Sequence, residues 1–330
     1  MANILILGAG SMGTAFSFPC ADNNHDVSVI GTHLENNFID QINSEKKHPV
    51  LKCSLEKKVK FLKFEKLSDE MNKKVDLIVI AVSSKGIDWV SNELSKFLKS
   101  KIPILILTKG LAINNNNYEI LAHKVERILK KNGVRNSDIT AAGGPCLARE
   151  LANKIHTSVV FANTDTQVLH QIKKLVSNDY YHVSTSKDLI GVEICAAIKN
   201  IFAMIVGSSN NLNTAAALFQ QSINEMIIFT EKLNGKKETV RGLAGLGDLY
   251  VSVKGGRNSQ MGLYLGQGMK FKEAKKTKMP NDTVEGADLA AEIGKKVKSD
   301  FDNKTIPLMI SMIDAICDET PLKIDWKNFK

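Results

Sequence analysis

The chain has 330 residues, 43% of them hydrophobic and 24% charged, which excludes a disordered or fibrous protein and is enough for two globular domains. Its formal net charge of +9 suits anionic ligands. The lysines are spread along the chain and the aromatic residues, 6% of the total, form no RNA-recognition pattern, so the expected partner is a small phosphorylated substrate with a dinucleotide, not nucleic acid. Cys20, Cys53, Cys146, Cys195 and Cys317 show neither CxxC nor metal-ligand spacing, from which free thiols, a reducing cytoplasmic setting and no metal are expected. The first apolar run stops at a glycine without a basic lead, and the longest one is interrupted by Glu193, Lys199 and Asn200. Neither a signal peptide nor a membrane span is expected from them.

Residues 3–7 read as a short, fully buried strand that runs straight into Gly8-Ala-Gly10-Ser11-Met12-Gly13 and then a helix. A GxGxxG at a strand-to-helix junction is a dinucleotide signature. The first glycine makes the turn, the second admits a pyrophosphate, and the third lets helix pack on strand. A second strand is expected over 26–30. It ends Ile30-Gly31-Thr32-His33, without the carboxylate that usually receives a ribose 2′-hydroxyl. Thr32 and His33 can donate to a 2′-phosphate, so the cofactor expected is NADP or NAD, with NADPH favoured. Further strands are expected over 59–62, 75–82, 102–107, 139–142, 157–161 and 180–184, with a polar loop at 114–117 and a helix over 118–131. Lys109 follows the strand at 102–107, at the end of a parallel sheet where ligands bind.

From 187 onward strand signals fade. The expected architecture is therefore α/β: a Rossmann-type doubly wound domain over 1–186, then an all-α substrate domain over 187–330. Residues 188–207 form the most apolar stretch, read as a buried helix, with Ile194, Ile198, Ile201 and Ile205 at helical spacing. Lys199 lies on no polar face, because its i±3 and i±4 neighbours are Cys195, Ala196, Phe202 and Ala203. A lysine in dry surroundings can pass a proton near neutrality, which makes Lys199 a candidate catalytic group. Helices are also expected over 214–233, 285–297 and 307–317, and one beginning at 258–260. Ahead of that last helix, a glycine-rich run leads to Asp248 and a Gly-Gly turn presents Arg257 and Asn258, suited to phosphate oxygens.

In order along the chain, GAGSMGTA at 8–15, TKGL at 108–111, GVEICAAIKNIFA at 191–203, GLAGLGDL at 242–249, GGRN at 255–258 and VEG at 284–286 resemble the NAD(P)-dependent glycerol-3-phosphate dehydrogenase family, within the 6-phosphogluconate dehydrogenase-like superfamily. The likeness runs from about residue 3 to about residue 295. It implies reversible hydride transfer between nicotinamide and C2 of dihydroxyacetone phosphate, and a homodimer is the expected assembly. It assigns proton transfer to Lys199, its orientation to Asp248, and developing charge to Lys109. The substrate would meet Lys109, Gly144, Cys146, Asn200, Ser252, Arg257 and Asn258. The cofactor would meet Gly8, Gly10, Ser11, Met12, Gly13, Thr32, His33, Lys109, Ala148, Arg257 and Glu285.

The chain departs from the family pattern at several positions. Gly144-Pro145-Cys146-Leu147-Ala148 stands where Gly-Pro-Ser/Thr-Phe-Ala is usual, so a hydroxyl donor becomes a thiol, a weaker one. Ser252 replaces a common threonine, Gln220-Gln221 replace Thr-Arg, and Asp248 to Arg257 is a short interval. Two alternatives stay open: a paralogous dehydrogenase for another polyol or sugar phosphate, and a non-catalytic dinucleotide sensor.

Overall fold

Five residues of which four are fully buried, Asn3–Leu7, form β1 at the centre of an eight-stranded sheet. The computed structural model describes residues 1–55, 58–99, 101–135 and 137–329. It resolves into two units: Met1–Lys109 with Leu121–Leu189, and Gly110–Ile120 with Ile190–Lys330.

In the first unit the strands are β1, β2 (Asp26–Ile30), β3 (Val59–Leu62), β4 (Leu77–Ile80) and β5 (Pro103–Ile106), followed after an excursion by β8 (Asp138–Gly143), β9 (Thr157–Ala162) and β10 (Tyr181–Ser186). The spatial order is β10-β9-β8-β5-β4-β1-β2-β3. The six strands from β3 to β8 are mutually parallel, and β9 turns antiparallel to β8 while β10 runs parallel to β9. Crossovers use α1 (Ser11–Asp22), α2 (Asn36–Glu45), α3 (Leu67–Met71), α4 (Ile87–Ser95), α5 (Leu121–Lys131), α6 (Ala148–Ala152) and α7 (Thr166–Val176). This is the doubly wound Rossmann arrangement, with β1 flanked by β2 and β4 so that the strand order reverses at its carboxyl end. Because both sheet faces are covered, the central strands are apolar without alternation. Ile4, Ile6, Val27, Val29, Leu77, Val79 and Leu105 pack with Phe16 and Phe161 into one core. Each such side chain contributes roughly 1.5–3 kcal/mol on burial.

The helix expected over 118–131 starts three residues later, because Asn117–Ile120 forms a strand, β7, paired antiparallel with β6 (Leu111–Asn114). The turn between them is Asn115-Asn116, with φ of 48° and 59°. Two successive left-handed residues make the tight hairpin turn that matches strand twist, and asparagine tolerates that conformation best after glycine. The hairpin belongs to the second unit, where Tyr118 packs edge-on against Phe229 with centroids 5.4 Å apart.

Otherwise the second unit is helical among the described residues: α8 (Leu189–Gly207), α9 (Leu212–Lys232), α10 (Lys237–Arg241), a π-helical turn Leu243–Gly247, α11 (Asp248–Val253), α12 (Arg257–Gly266), α13 (Phe271–Thr277), α14 (Glu285–Asp300) and α15 (Pro307–Cys317). α8 has the length and hydropathy of a membrane-crossing helix, but 83% of its most apolar window is buried inside the fold. It is the core helix of this unit.

Glu225 on α9 is fully buried. Its two carboxylate oxygens accept from the amides of Leu308 and Met309 at 2.9 Å each, closing the N-terminus of α15. Gln221, one turn earlier on α9, donates to the same carboxylate at 3.4 Å. Burial outweighs these donors and pushes the carboxyl up to about 7. The folded state therefore holds this proton more tightly than the unfolded chain does. Its contribution is present in full below the unfolded value near 4.5 and is lost as pH rises through 7, an effect of up to about 3 kcal/mol. Chemical denaturation of the wild type and Glu225→Gln should accordingly show the wild-type advantage shrinking between pH 5 and pH 8. An advantage that grows over that interval would contradict this balance of burial against helix capping.

Candidate active site

The glycine loop in the first unit is held by close contacts. Gly8, at φ +111°, donates to the carbonyl of Ile30 at 2.8 Å. A Cβ on Gly13 would lie 2.1 Å from the Gly8 carbonyl oxygen, whereas one on Gly10 would meet nothing within 4 Å. The second glycine thus leaves open the space that a pyrophosphate needs, and the third permits helix-on-loop packing. Gly10 caps α1, whose first turn contains Ser11 and Met12, so the orphan amides of a twelve-residue helix face that space. These residues fit a dinucleotide.

Thr32 and His33 follow β2 as expected, and neither is idle. The Thr32 amide donates to the Glu35 carboxylate at 2.6 Å, and the His33 ring lies against Trp89 with centroids 4.8 Å apart. Phe64 packs on the same indole at 4.9 Å. Leu7, Gly31, Thr32, Phe64 and Trp89 line a cleft beside the glycine loop. At the ends of β4 and β5, the Thr108 hydroxyl donates to the Val82 carbonyl at 2.6 Å. The Lys109 ammonium donates to the carbonyl of Gly144 at 3.3 Å, so the turn after β8 anchors that lysine. Cys146 is half-buried in the same turn and Ala148 opens α6.

In the second unit, Lys199 on α8 is 7% exposed and Asp248 is 2% exposed. The ammonium reaches Asp248 Oδ1 at 2.5 Å and Ser252 Oγ at 2.6 Å. Asp248 is the first residue of α11 and Ser252 lies one turn later, so both face Lys199 from one side of that helix. Ser252 in turn donates to the Asp248 carbonyl at 2.8 Å, which leaves its oxygen lone pairs toward the lysine. The next residue of α8, Asn200, accepts from Asn258 Nδ2 at 3.0 Å. Asn258 Oδ1 accepts from the Gly286 amide at 2.9 Å, and its Nδ2 also reaches Glu285 at 3.4 Å. Arg257 pairs with Glu285 at 2.6 Å at the surface, with side chains 49% and 46% exposed.

Glycines make this assembly possible. A Cβ on Gly262 would sit 1.9 Å from the Met204 carbonyl oxygen, and one on Gly286 would sit 2.5 Å from that of Asn200. α12 and α14 therefore touch the backbone of α8 directly, which lets Asn258 hydrogen-bond to both Asn200 and Glu285.

The structure thus gathers the named residues into two groups. Lys109 and Gly144 are joined in the first unit. Lys199, Asn200, Asp248, Ser252, Arg257, Asn258 and Glu285 are joined in the second. Glu35, Phe64 and Trp89 were not anticipated. The available signal was that Glu35 is the first carboxylate after β2. Gln221, which stands where the family pattern has an arginine, is buried against Glu225.

Comparison with known proteins finds relatives over most of the chain. Residues 3–169 match the model for the NAD-dependent glycerol-3-phosphate dehydrogenase N-terminus, and residues 188–323 match the model for its C-terminus. An NADP(+)-dependent glycerol-3-phosphate dehydrogenase of Archaeoglobus fulgidus is 31% identical over 280 residues, covering 82% of each chain. A glycerol-3-phosphate dehydrogenase [NAD(P)+] of Staphylococcus epidermidis is 34% identical over 285 residues, covering 84% of this chain and 83% of its own. The crystal structure of a glycerol-3-phosphate dehydrogenase from Coxiella burnetii superimposes with a TM-score of 0.83 at 26% identity, covering 97% and 96% of the two chains.

The direct backbone contact at Gly262 has a measurable consequence. Gly262→Ala should force α12 away from α8 and lower unfolding stability by about 1–3 kcal/mol, the usual cost of overpacking, as read by denaturant melts. An unchanged midpoint would show that the two helices are not held at backbone contact.

Proposed function

The chain belongs to the NAD-dependent glycerol-3-phosphate dehydrogenase family and is an NAD(P)-dependent oxidoreductase; on that premise we propose that it interconverts dihydroxyacetone phosphate and glycerol 3-phosphate. The observation that carries this reading is the buried Lys199 ammonium, held by Asp248 and Ser252. The nicotinamide, when bound, supplies the hydride in the reducing direction. Lys199 then gives one proton to the carbonyl oxygen at C2, so that ketone, hydride and proton become a secondary alcohol. In the reverse direction the same nitrogen takes that proton back.

Asp248 and Ser252 fix where the lysine nitrogen lies, which confines proton transfer to one geometry. Lys109, steadied on the Gly144 carbonyl, is assigned to the negative charge that develops on oxygen. Arg257 and Asn258 stand at the start of α12, where a guanidinium fork and helix amides suit a phosphate. The pair that Arg257 makes with Glu285 is exposed on both sides, and such pairs contribute about 0–1 kcal/mol. A dianionic phosphate can therefore draw Arg257 away at little cost. Gly144 and Cys146 are assigned to substrate, and Ser11, Met12, Ala148 and Glu285 to cofactor. The five cysteines are free, which supports a reducing cytoplasmic setting.

Cys146 favours a second reading, in which the same hydride chemistry serves a longer polyol or sugar phosphate. A thiol at this turn is a weaker donor than the hydroxyl usual there.

Under the proposed mechanism Lys199→Ala should lower kcat by about 10²–10⁴ while leaving nicotinamide-nucleotide affinity within a few fold, measured by steady-state kinetics and direct binding titration. A normal kcat would remove the proton-transfer role. Arg257→Ala should raise KM for dihydroxyacetone phosphate far more than for unphosphorylated dihydroxyacetone; equal changes for the two would argue against a phosphate clamp.

A further inference from the structure

We propose that Glu35 sets the cofactor preference of this enzyme and turns it toward NAD(H). β2 ends at Ile30, where the carboxylate that commonly receives the adenosine ribose is missing. The chain then makes a tight turn, with the Glu35 amide donating to the Thr32 carbonyl at 2.9 Å, and Glu35 becomes the cap of α2. That turn brings its side chain back over the end of the strand. Glu35 Oε2 accepts from the Thr32 amide at 2.6 Å and from the Ala9 amide at 3.4 Å. Ala9 lies between the first two glycines of the phosphate loop. A carboxylate thus stands where the end of β2 meets that loop, although it is five residues late in sequence. Its other oxygen, Oε1, makes no hydrogen bond or ion pair among the described residues.

The surroundings support a ribose more than a phosphate. The first 126 residues contain no arginine, so the usual bidentate partner of a 2′-phosphate is missing from β1 through the first turns of α5. Lys63, just after β3, is paired with Asp40 at 2.7 Å. His33 is held against Trp89, which with Phe64 lines the narrow cleft beside the loop. A ribose next to the phosphate loop and the end of β2 would lie beside Glu35, which is bonded to the Ala9 and Thr32 amides there. The carboxylate accepts from a 2′-hydroxyl and repels a 2′-phosphate. Proximity of the Glu35 carboxylate therefore outweighs the absence of a carboxylate on Ile30 itself, and the preference inferred from the strand end alone is reversed.

The inference rests on the dinucleotide site described above. Its test is equilibrium binding of NADH and NADPH to the full chain without substrate, followed by energy transfer from tryptophan to the reduced nicotinamide at fixed ionic strength. NADH should bind at least about tenfold more tightly than NADPH. Glu35→Gln, which keeps the size of the side chain and removes its charge, should narrow that ratio by about tenfold, chiefly by tightening NADPH. Equal or tighter NADPH binding by the wild type would overturn the assignment, and would do so even if the variant failed to fold. An unchanged ratio in a folded Glu35→Gln protein would overturn it as well. Failure of both nucleotides to bind would overturn the dinucleotide site itself, a result distinct from a wrong preference.

Discussion

The Lys199–Asp248 ion pair is almost wholly removed from water, and the helical unit is arranged around keeping it whole. Taking two charges out of water is expensive, several kcal/mol for each, and is offset only when the geometry and the added hydrogen bonds are good. Here the ammonium meets a carboxylate at 2.5 Å and a hydroxyl at 2.6 Å. Both come from one face of α11, which starts directly after the π-helical turn. Its neighbours on α8, Cys195, Ala196, Phe202 and Ala203, are buried and apolar, so the lysine has no solvated alternative on its own helix. A helix built this way spends stability on holding a charge in one place, which is the arrangement that a directed proton transfer needs.

The unit contains a second ion pair with the opposite design. Arg257 and Glu285 meet at a similar distance, 2.6 Å, yet both lie half in solvent. Burial separates the two pairs. One is fixed because breaking it would leave an unpaired charge in a dry interior. The other is exchangeable because water screens both its partners. The same chemistry thus yields a fixed ammonium and an exchangeable guanidinium, the parts that the proposed proton donor and anion hook require, with Asn258 joining Asn200 and Glu285 by side-chain hydrogen bonds.

Much of this was legible in the amino-acid sequence wherever the cause is local. An apolar strand running into GxGxxG identifies β1, the loop and α1, and the apolar neighbours of Lys199 mark it before any contact is known. The less legible parts depend on non-local geometry or on unusual backbone conformation. The hairpin at 111–120 was read as a loop and the start of a helix, because its turn is Asn115-Asn116 in left-handed conformation, where glycine would have announced it. Glu35 escaped notice because a tight turn, not the strand itself, delivers its carboxylate. Gly262 has no local signature, and Gly286 stands only at the end of the VEG motif, which says nothing of its packing. Their role appears only where their backbones meet α8 at Met204 and Asn200, far away in sequence.

The central claim is that this buried lysine serves reduction of a three-carbon keto phosphate. The most direct test is oxidation of NADH and NADPH with dihydroxyacetone phosphate, run beside a panel of longer keto-sugar phosphates. Rapid turnover of dihydroxyacetone phosphate, well above every longer substrate, is the expected result. Silence with dihydroxyacetone phosphate alongside turnover of a longer compound would contradict the substrate assignment, and would direct attention to the turn that carries Cys146.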